Sequence, residues 1–205
     1  MEADIEQVLI SRERIAQRIE ELARQITDDL RRQGEQGNSG DAAQITLVPI
    51  LTGSIIFVSD LIRQLPLPMR IGLVSVSSYP GRATASQGAR LDPALGGLPT
   101  SLEGSHVLVL DDILDSGGTL KLVCDLIRQR RPASLRTCVL LRKQRPEALG
   151  FPVDYVAFDI PDVFVVGYGL DLDGYYRNLP DIVTLKPQVY GNGRLEGSKV
   201  QGQRA

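Results

Sequence analysis

Within the stretch HVLVLDDILDSGGTL, His106 to Leu120, three aspartates, two adjacent glycines and two hydroxyl side chains stand close together. Gly117 and Gly118 let a backbone approach a ligand closely. A helix starting there aims its unpaired N–H groups and the positive end of its dipole at the same point. Ser116 and Thr119 add hydroxyl donors. Together they suit a phosphate monoester. The GxxxxGK spacing of a triphosphate-binding loop, with its lysine, is absent, which argues against a nucleoside triphosphatase. Asp111 and Asp112 follow the apolar run Val107 to Leu110. Neighbouring side chains on a strand point to opposite faces, so the two need not serve one atom. Vicinal ribose hydroxyls, or a hydrated Mg²⁺, would use such carboxylates. Asp115, at the mouth of the loop, is placed to accept a proton from a substrate nitrogen or to steer one. Turns and helix starts favour these residue types anyway. The conjunction of apolar run, Asp-Asp, a third Asp and a Gly-Gly helix entry is what points to a site.

The elements that must position this stretch read as alternating helices and strands. Ser11 precedes a helix over Arg12 to Arg32, with Ile15, Ile19, Leu22, Ile26 and Leu30 on one face. A polar, Gly-rich loop spans Gly34 to Ala42. Ile45 to Leu51 reads as a buried strand, Ser54 to Leu65 as a helix stopped by Pro66 and Pro68, and Ile71 to Val76 as a second strand. From Ser77 to Ser105 the pattern breaks down into a long loop, of the kind that is usually functional or disordered. Strand Val107 to Leu110, helix Gly117 to Arg130 and strand Leu135 to Leu141 follow. The alternation predicts an α/β fold with a mostly parallel sheet flanked by helices, whose ligands bind beyond the carboxyl ends of the strands. After Phe151 the short runs Tyr155 to Ile160 and Phe164 to Tyr168 suggest a small, partly β lobe. Residues 1–190 read as a single domain, with hood pieces from the N-terminal segment and about 151–187, and residues 191–205 as a disordered tail.

The 205 residues suffice for one domain with a sizeable core. A net charge of -2 gives no reason to expect nucleic acid or a membrane as the main partner. No apolar run approaches the roughly 20 residues that span a bilayer. The N-terminus is charged and helix-like, unlike a signal peptide. Cys124 and Cys138 fall inside regular elements, as expected of reduced, buried thiols in a cytoplasmic protein. The single histidine, His106, matches no chemical pattern and reads as structural or exposed.

The segment VLVLDDILDSGGT resembles the phosphoribosyl pyrophosphate signature of type I phosphoribosyltransferases. Asp154 to Pro187, DYVAFDIPDVFVVGYGLDLDGYYRNLPDIVTLKP, is similar to the C-terminal part of the hypoxanthine-guanine branch of that family. The PILTGS and SVSSYPG segments add to the likeness, which spans about Ile5 to Pro187. The resemblance implies the type I phosphoribosyltransferase fold and purine salvage. Hypoxanthine or guanine would displace pyrophosphate from phosphoribosyl pyrophosphate, with Mg²⁺ as cofactor, giving IMP or GMP.

It also implies residue roles. Asp111 and Asp112 would bind the ribose hydroxyls, and Asp115, Ser116, Gly117, Gly118 and Thr119 the 5′-phosphate. Asp115 would also accept the proton of purine N7. Lys143 would recognise the 6-oxo group; a cationic donor fits an oxo acceptor and would meet a 6-amino group donor to donor. Phe164 would stack on the base, Val165 would read its edge, and Ile113 would lie on the purine side. Asp171, with Asp111 and Asp112, would serve Mg²⁺, and Asp171 lies where a guanine 2-amino group could be met. Arg177 would contact the pyrophosphate, Thr52 and Gly53 would bind phosphoribosyl pyrophosphate, and Ser78 and Tyr79 would begin a loop that closes over the site. A homodimer or homotetramer is expected.

One departure stands out. Leu51-Thr52-Gly53-Ser54 occupies the place of the family's usual Leu-Lys-Gly, so a lysine contact there is lost while backbone contacts can survive. The family's non-proline cis bond would fall at Leu51–Thr52. The rival reading is a regulator that senses phosphoribosyl pyrophosphate on this fold with little or no catalysis. A third is an enzyme for another 6-oxo base.

Overall fold

The computed structural model describes residues 1–36, 45–77, 90–91, 97–99 and 101–191. Among them, strands β2 (Ile45–Leu51), β3 (Met69–Ile71), β4 (Val74–Ser77), β5 (Arg90–Leu91), β6 (His106–Leu114), β7 (Ser134–Lys143) and β8 (Tyr155–Ile160) form one sheet. Its order is β5-β4-β2-β6-β7-β8, with β3 pairing the start of β2. All pairings are parallel except β4 with β5. From β2 the chain adds β4 on one side, then returns to place β6, β7 and β8 on the other. The order therefore reverses between β2 and β6, and ligand crevices open at such a reversal.

Helix α1 (Arg12–Gln36) and helix α2 (Ile55–Ile62) cover one face. The predicted apolar stripe of α1 is its buried face: Ile15, Ile19, Leu22, Ile26 and Leu30 all lie in the core with Leu47, Leu108, Leu110 and Leu140. The Ser11 hydroxyl accepts the Arg14 N–H at 3.4 Å at the start of α1. Helix α3 (Gly118–Arg128) and helix α4 (Pro146–Leu149) cover the other face, where Leu120, Val123 and Ile127 meet Val48, Val107 and Val109. β2 and β6 are covered on both sides, which is why they read as continuous apolar runs.

A smaller lobe is built from both ends of the chain. Strand β1 (Ile5–Ile10) pairs antiparallel with β9 (Ile182–Leu185), and Val166 bridges to Val183. Val166, Leu172, Leu179, Val183 and Leu185 make its own apolar cluster. Helix α5 (Pro187–Gly191) follows β9.

Several boundaries differ from the sequence reading. The N-terminus, read as charged and helix-like, contains a strand, Ile5–Ile10, whose partner lies at the far end of the chain. Tyr155–Ile160 belongs to the central sheet and not to the hood: it pairs in register with β7. The predicted strand Ile71 to Val76 is two short strands broken at Gly72, whose N–H donates to the Leu47 carbonyl at 2.9 Å. Helix α2 stops at Ile62 and not at Leu65. Cys124 and Cys138 are buried and unpaired, as expected. Burial pushes the Cys124 thiol up to about 11 and Cys138 higher still, so neither is a reactive thiolate. His106 Nδ1 pairs with the Ser134 hydroxyl at 2.7 Å, a structural link between β6 and β7. Among the described residues no helix is long and apolar enough to cross a membrane. Ser78 and Tyr79, the Gly34 to Ala42 loop from residue 37 onward, most of the Ser77 to Ser105 loop and the tail from residue 192 lie outside the described residues.

Candidate active site

Strand β6 continues to Leu114, past the predicted end at Leu110, and carries Asp111 and Asp112 within it. As strand neighbours their side chains start toward opposite faces, yet the two carboxyl groups remain close enough to act on each other. Asp111, only 5% exposed, helps line a pocket of about 60 Å³ with Ile113, Leu114, Asp115, Ser116, Gly117, Gly118, Thr119 and Leu120. That is far smaller than a drug-sized cavity. Asp112 turns toward the loop after β2: a Cβ added to Gly53 would fall 1.6 Å from Asp112 Oδ2. Only glycine allows that approach.

The Asp112 N–H donates to Asp111 Oδ1 at 3.0 Å, and the Ile113 N–H to Asp112 Oδ1 at 2.9 Å. Burial pushes the Asp111 carboxyl well above the usual range, and the neighbouring Asp112 charge adds to the push. Burial raises Asp112 too, offset in part by the N–H donors around it and by the Arg177 charge. Two crowded carboxylates of this kind are poised for hydroxyl donors or a cation.

Gly117 is the cap of α3 with φ +83°, and a Cβ there would lie 2.2 Å from Phe151 Cδ2. The predicted helix therefore starts one residue later, at Gly118, and ends at Arg128. Backbone conformation and the Phe151 ring both demand glycine at 117. Ser116 and Gly118 are exposed at the pocket mouth and Thr119 is half-buried. The loop and the helix N-terminus thus meet at the pocket floor.

Three neighbouring parallel strands deliver a second group of charges. β6 leads to Asp115, β7 ends in Lys143 and leads to Arg145, and β8 leads to Asp162. Register pairs Ile113 with Leu141 and Lys143 with Ile160, so the three ends lie side by side. Lys143 Nζ stands 3.2 Å from Asp162 Oδ1 and 3.8 Å from Asp115 Oδ1. Its side chain is only 14% exposed, unlike an ordinary surface lysine. Arg145 Nη1 donates to Asp115 Oδ1 at 2.7 Å. Phe164 and Val165 follow Asp162 closely; Phe164 is 37% exposed and Val165 is buried. The sequence reading missed Arg145 and Asp162. Arg145 lies two residues beyond Lys143, a spacing that keeps strand side chains on one face, and that signal was open to reading.

A third group lies on the other side of the two aspartates. The Leu51–Thr52 peptide is cis, Thr52 is exposed and Gly53 is buried. Gly169, at φ +101°, packs so closely on this loop that an added Cβ would come 2.2 Å from the Gly53 carbonyl oxygen. Arg177 Nη1 donates to the Gly169 carbonyl at 2.6 Å, while Nη2 stands 2.6 Å from Asp171 Oδ1. Asp171 Oδ2 accepts the Gly174 N–H at 2.6 Å. Gly53, Asp112, Gly169, Asp171 and Arg177 thus form one connected group. Gly169 was not anticipated.

Among the described residues, no group of three or more His, Cys, Asp or Glu side chains could hold a metal alone. Mg²⁺ commonly takes one or two carboxylates, with water and substrate phosphate oxygens filling the rest. The crowded Asp111 and Asp112 carboxylates fit that mode. Asp171 fits it only by sharing a carboxylate that Arg177 and Gly174 already engage.

The phosphoribosyl transferase domain family matches residues 7–173. The hypoxanthine-guanine phosphoribosyltransferase of Mycobacterium avium is 44% identical over 189 residues, covering 91% of this chain and 89% of that protein. That of Dictyostelium discoideum is 41% identical over 187 residues, covering 90% and 97%. Among solved structures, the Trypanosoma cruzi hypoxanthine phosphoribosyltransferase in complex with the product IMP superposes with a TM-score of 0.77 at 40% identity, covering 91% of this chain and 97% of that one. The chain belongs to the hypoxanthine-guanine phosphoribosyltransferase family.

Proposed function

We infer that this chain joins hypoxanthine or guanine to phosphoribosyl pyrophosphate, forming IMP or GMP and releasing pyrophosphate. The observation that carries this reading is the meeting of Asp115 and Lys143 beside the phosphate-sized pocket of the Asp115 to Thr119 loop. One end holds a sugar phosphate, and the other offers a proton acceptor next to a cationic donor. A 6-oxopurine presents the complementary pair, an N–H at N7 and an oxo acceptor at C6.

In this reading the 5′-phosphate lies on the N–H groups of the loop and α3, with Ser116 and Thr119 adding hydroxyls. Asp111 and Asp112 accept the ribose hydroxyls. Phe164 covers the base, Val165 meets its edge through the backbone, and Ile113 borders it. Arg177 and the backbone of Thr52 and Gly53 face the pyrophosphate. A ring nitrogen of the base bonds to C1 of the sugar as the C1–O bond to pyrophosphate breaks, and Asp115 takes the N7 proton. The sugar gains positive charge on the way, so fixed charges and positioning do most of the catalysis. Asp111, Asp112 and Asp171 would hold Mg²⁺ together with substrate oxygens; when bound, it neutralises charge on the departing pyrophosphate. Ser78 and Tyr79, outside the described residues, would help exclude water. We also assign the protein to the cytoplasm, as a homodimer or homotetramer.

An absorbance assay with phosphoribosyl pyrophosphate and hypoxanthine, guanine or xanthine tests the reading. We expect Mg²⁺-dependent turnover of hypoxanthine or guanine. Tight binding of phosphoribosyl pyrophosphate with no turnover of any base would favour the regulator instead, for which no observation on the base side speaks.

A further inference from the structure

Arg145 is not among the residues to which the family resemblance gives a role, yet among the described residues it is the closest cation to Asp115. Its backbone is pinned on both sides. Its own N–H donates to the Lys143 carbonyl at 2.9 Å, the preceding Gln144 N–H donates to the Ile160 carbonyl at 2.8 Å, and Pro146 follows. A residue before proline is held to extended backbone, and Arg145 has φ -131° and ψ 152°. The guanidinium is therefore thrown from a fixed point at the end of β7. It reaches three carboxylates: Asp115 at 2.7 Å, Glu147 at 3.3 Å and Asp162 at 4.0 Å.

Such half-exposed pairs contribute little to stability. Their arrangement is more telling. Lys143 and Arg145 share Asp115 and Asp162, but unequally. Arg145 takes Asp115 at 2.7 Å against 4.0 Å for Asp162, and Lys143 takes Asp162 at 3.2 Å against 3.8 Å for Asp115. Without Arg145, Lys143 is the nearest remaining cation to Asp115 among the described residues. The proton acceptor and the oxo-reading donor would then neutralise each other, and a 6-oxopurine would have to separate them. Asp115 is also half exposed and sits on a loop, so an unheld carboxylate would sample several orientations.

We propose that Arg145 is a positioning residue for Asp115: it donates the hydrogen bond to carboxylate Oδ1, so that Lys143 stays beside the acid at 3.8 Å without binding it directly, and it leaves Oδ2 to accept the proton of the base. The proposal rests on the reading of Asp115 as that acceptor. Arg145→Gln should lower kcat about 10- to 100-fold, the scale of loss when a reacting group is misplaced. The KM for phosphoribosyl pyrophosphate and the unfolding temperature should stay at the parent values. Arg145→Lys, which keeps a cation within reach, should recover most of the loss.

The decisive comparison is a cycle with Asp115→Asn. If Arg145 acts through Asp115, adding Arg145→Gln to Asp115→Asn lowers kcat no further. An unchanged kcat in Arg145→Gln, while Asp115→Asn is crippled, would overturn the positioning role and leave the reading of Asp115 intact. A normal kcat in Asp115→Asn would overturn both. Full additivity of the two losses, or a loss in Arg145→Gln matched by a fall in unfolding temperature, would also overturn it.

Discussion

The proposed base side and the proposed pyrophosphate side of the site are built by different means. On the base side, Asp115, Lys143, Arg145 and Asp162 come from the ends of three adjacent parallel strands and meet mainly through ion pairs. Asp115 and Asp162 are about half exposed. On the pyrophosphate side, Gly53 and Gly169 press backbone against backbone, and Asp171 and Arg177 are each fixed by a main-chain partner. Charges held only by other charges can change partners when a base arrives. A framework of close-packed main chain is already shaped for its ligand, and a preformed site gives up less freedom on binding. The lesson is that one site can combine an adaptable half, suited to the proposed reading and deprotonation of a base, with a rigid half suited to a constant group.

Substitutions should separate the two halves. Among the groups that would hold substrate, Asp115 aside, the largest effect is expected on the rigid side. Arg177→Ala removes the cation proposed to face pyrophosphate and unties Asp171 and Gly169, so kcat/KM for phosphoribosyl pyrophosphate should fall about 10²–10³-fold. Base binding, followed by calorimetry, should hardly change; an equal loss of base affinity would erase the distinction between the halves.

On the adaptable side, Lys143→Ala should weaken binding of hypoxanthine about 10- to 100-fold, as expected for losing a bond from a charged donor. Discrimination against adenine should shrink with it. Affinity for phosphoribosyl pyrophosphate should persist, and its loss in this variant would count against Lys143 as a reader of the base.

Asp111 lies between the halves and offers the smallest and most unusual effect. Its carboxyl is raised in the folded protein, so the folded state binds more protons than the unfolded one between the unfolded value, about 3.9, and the raised folded value. Stability therefore falls as pH rises through that window, and the penalty is fully present above it. Asp111→Asn should raise the unfolding temperature of the ligand-free protein at neutral pH, by about 2–4 °C per kcal/mol relieved. The gain should vanish at pH 3, and activity should fall throughout. A lower unfolding temperature at neutral pH would contradict the strain assigned to this pair.

Much of this site was legible in the sequence because its signals are local. Asp115, Gly117 and the α3 start lie along one continuous stretch, and periodicity alone marked the buried stripe of α1. What was hidden depends on partners distant in the chain. β1 is a strand because β9 pairs with it, and Tyr155–Ile160 joins the sheet because β7 ends beside it. Asp111 and Asp112 looked like the polar end of a strand, yet cross-strand pairing with β7 carries β6 past them to Leu114. Arg145 and Asp162 acquire meaning only when three strand ends are laid side by side.

Asp115→Asn tests the central claim most directly, namely that the base side does chemistry while the other groups hold substrate. Asparagine keeps the shape and removes the acceptor charge. We expect kcat with hypoxanthine to fall about 10²–10⁴-fold, the span usual for a lost proton-transfer group, with the binding constant for phosphoribosyl pyrophosphate close to that of the parent. A kcat near the parent value, or equal losses in turnover and in phosphoribosyl pyrophosphate binding, would contradict the account.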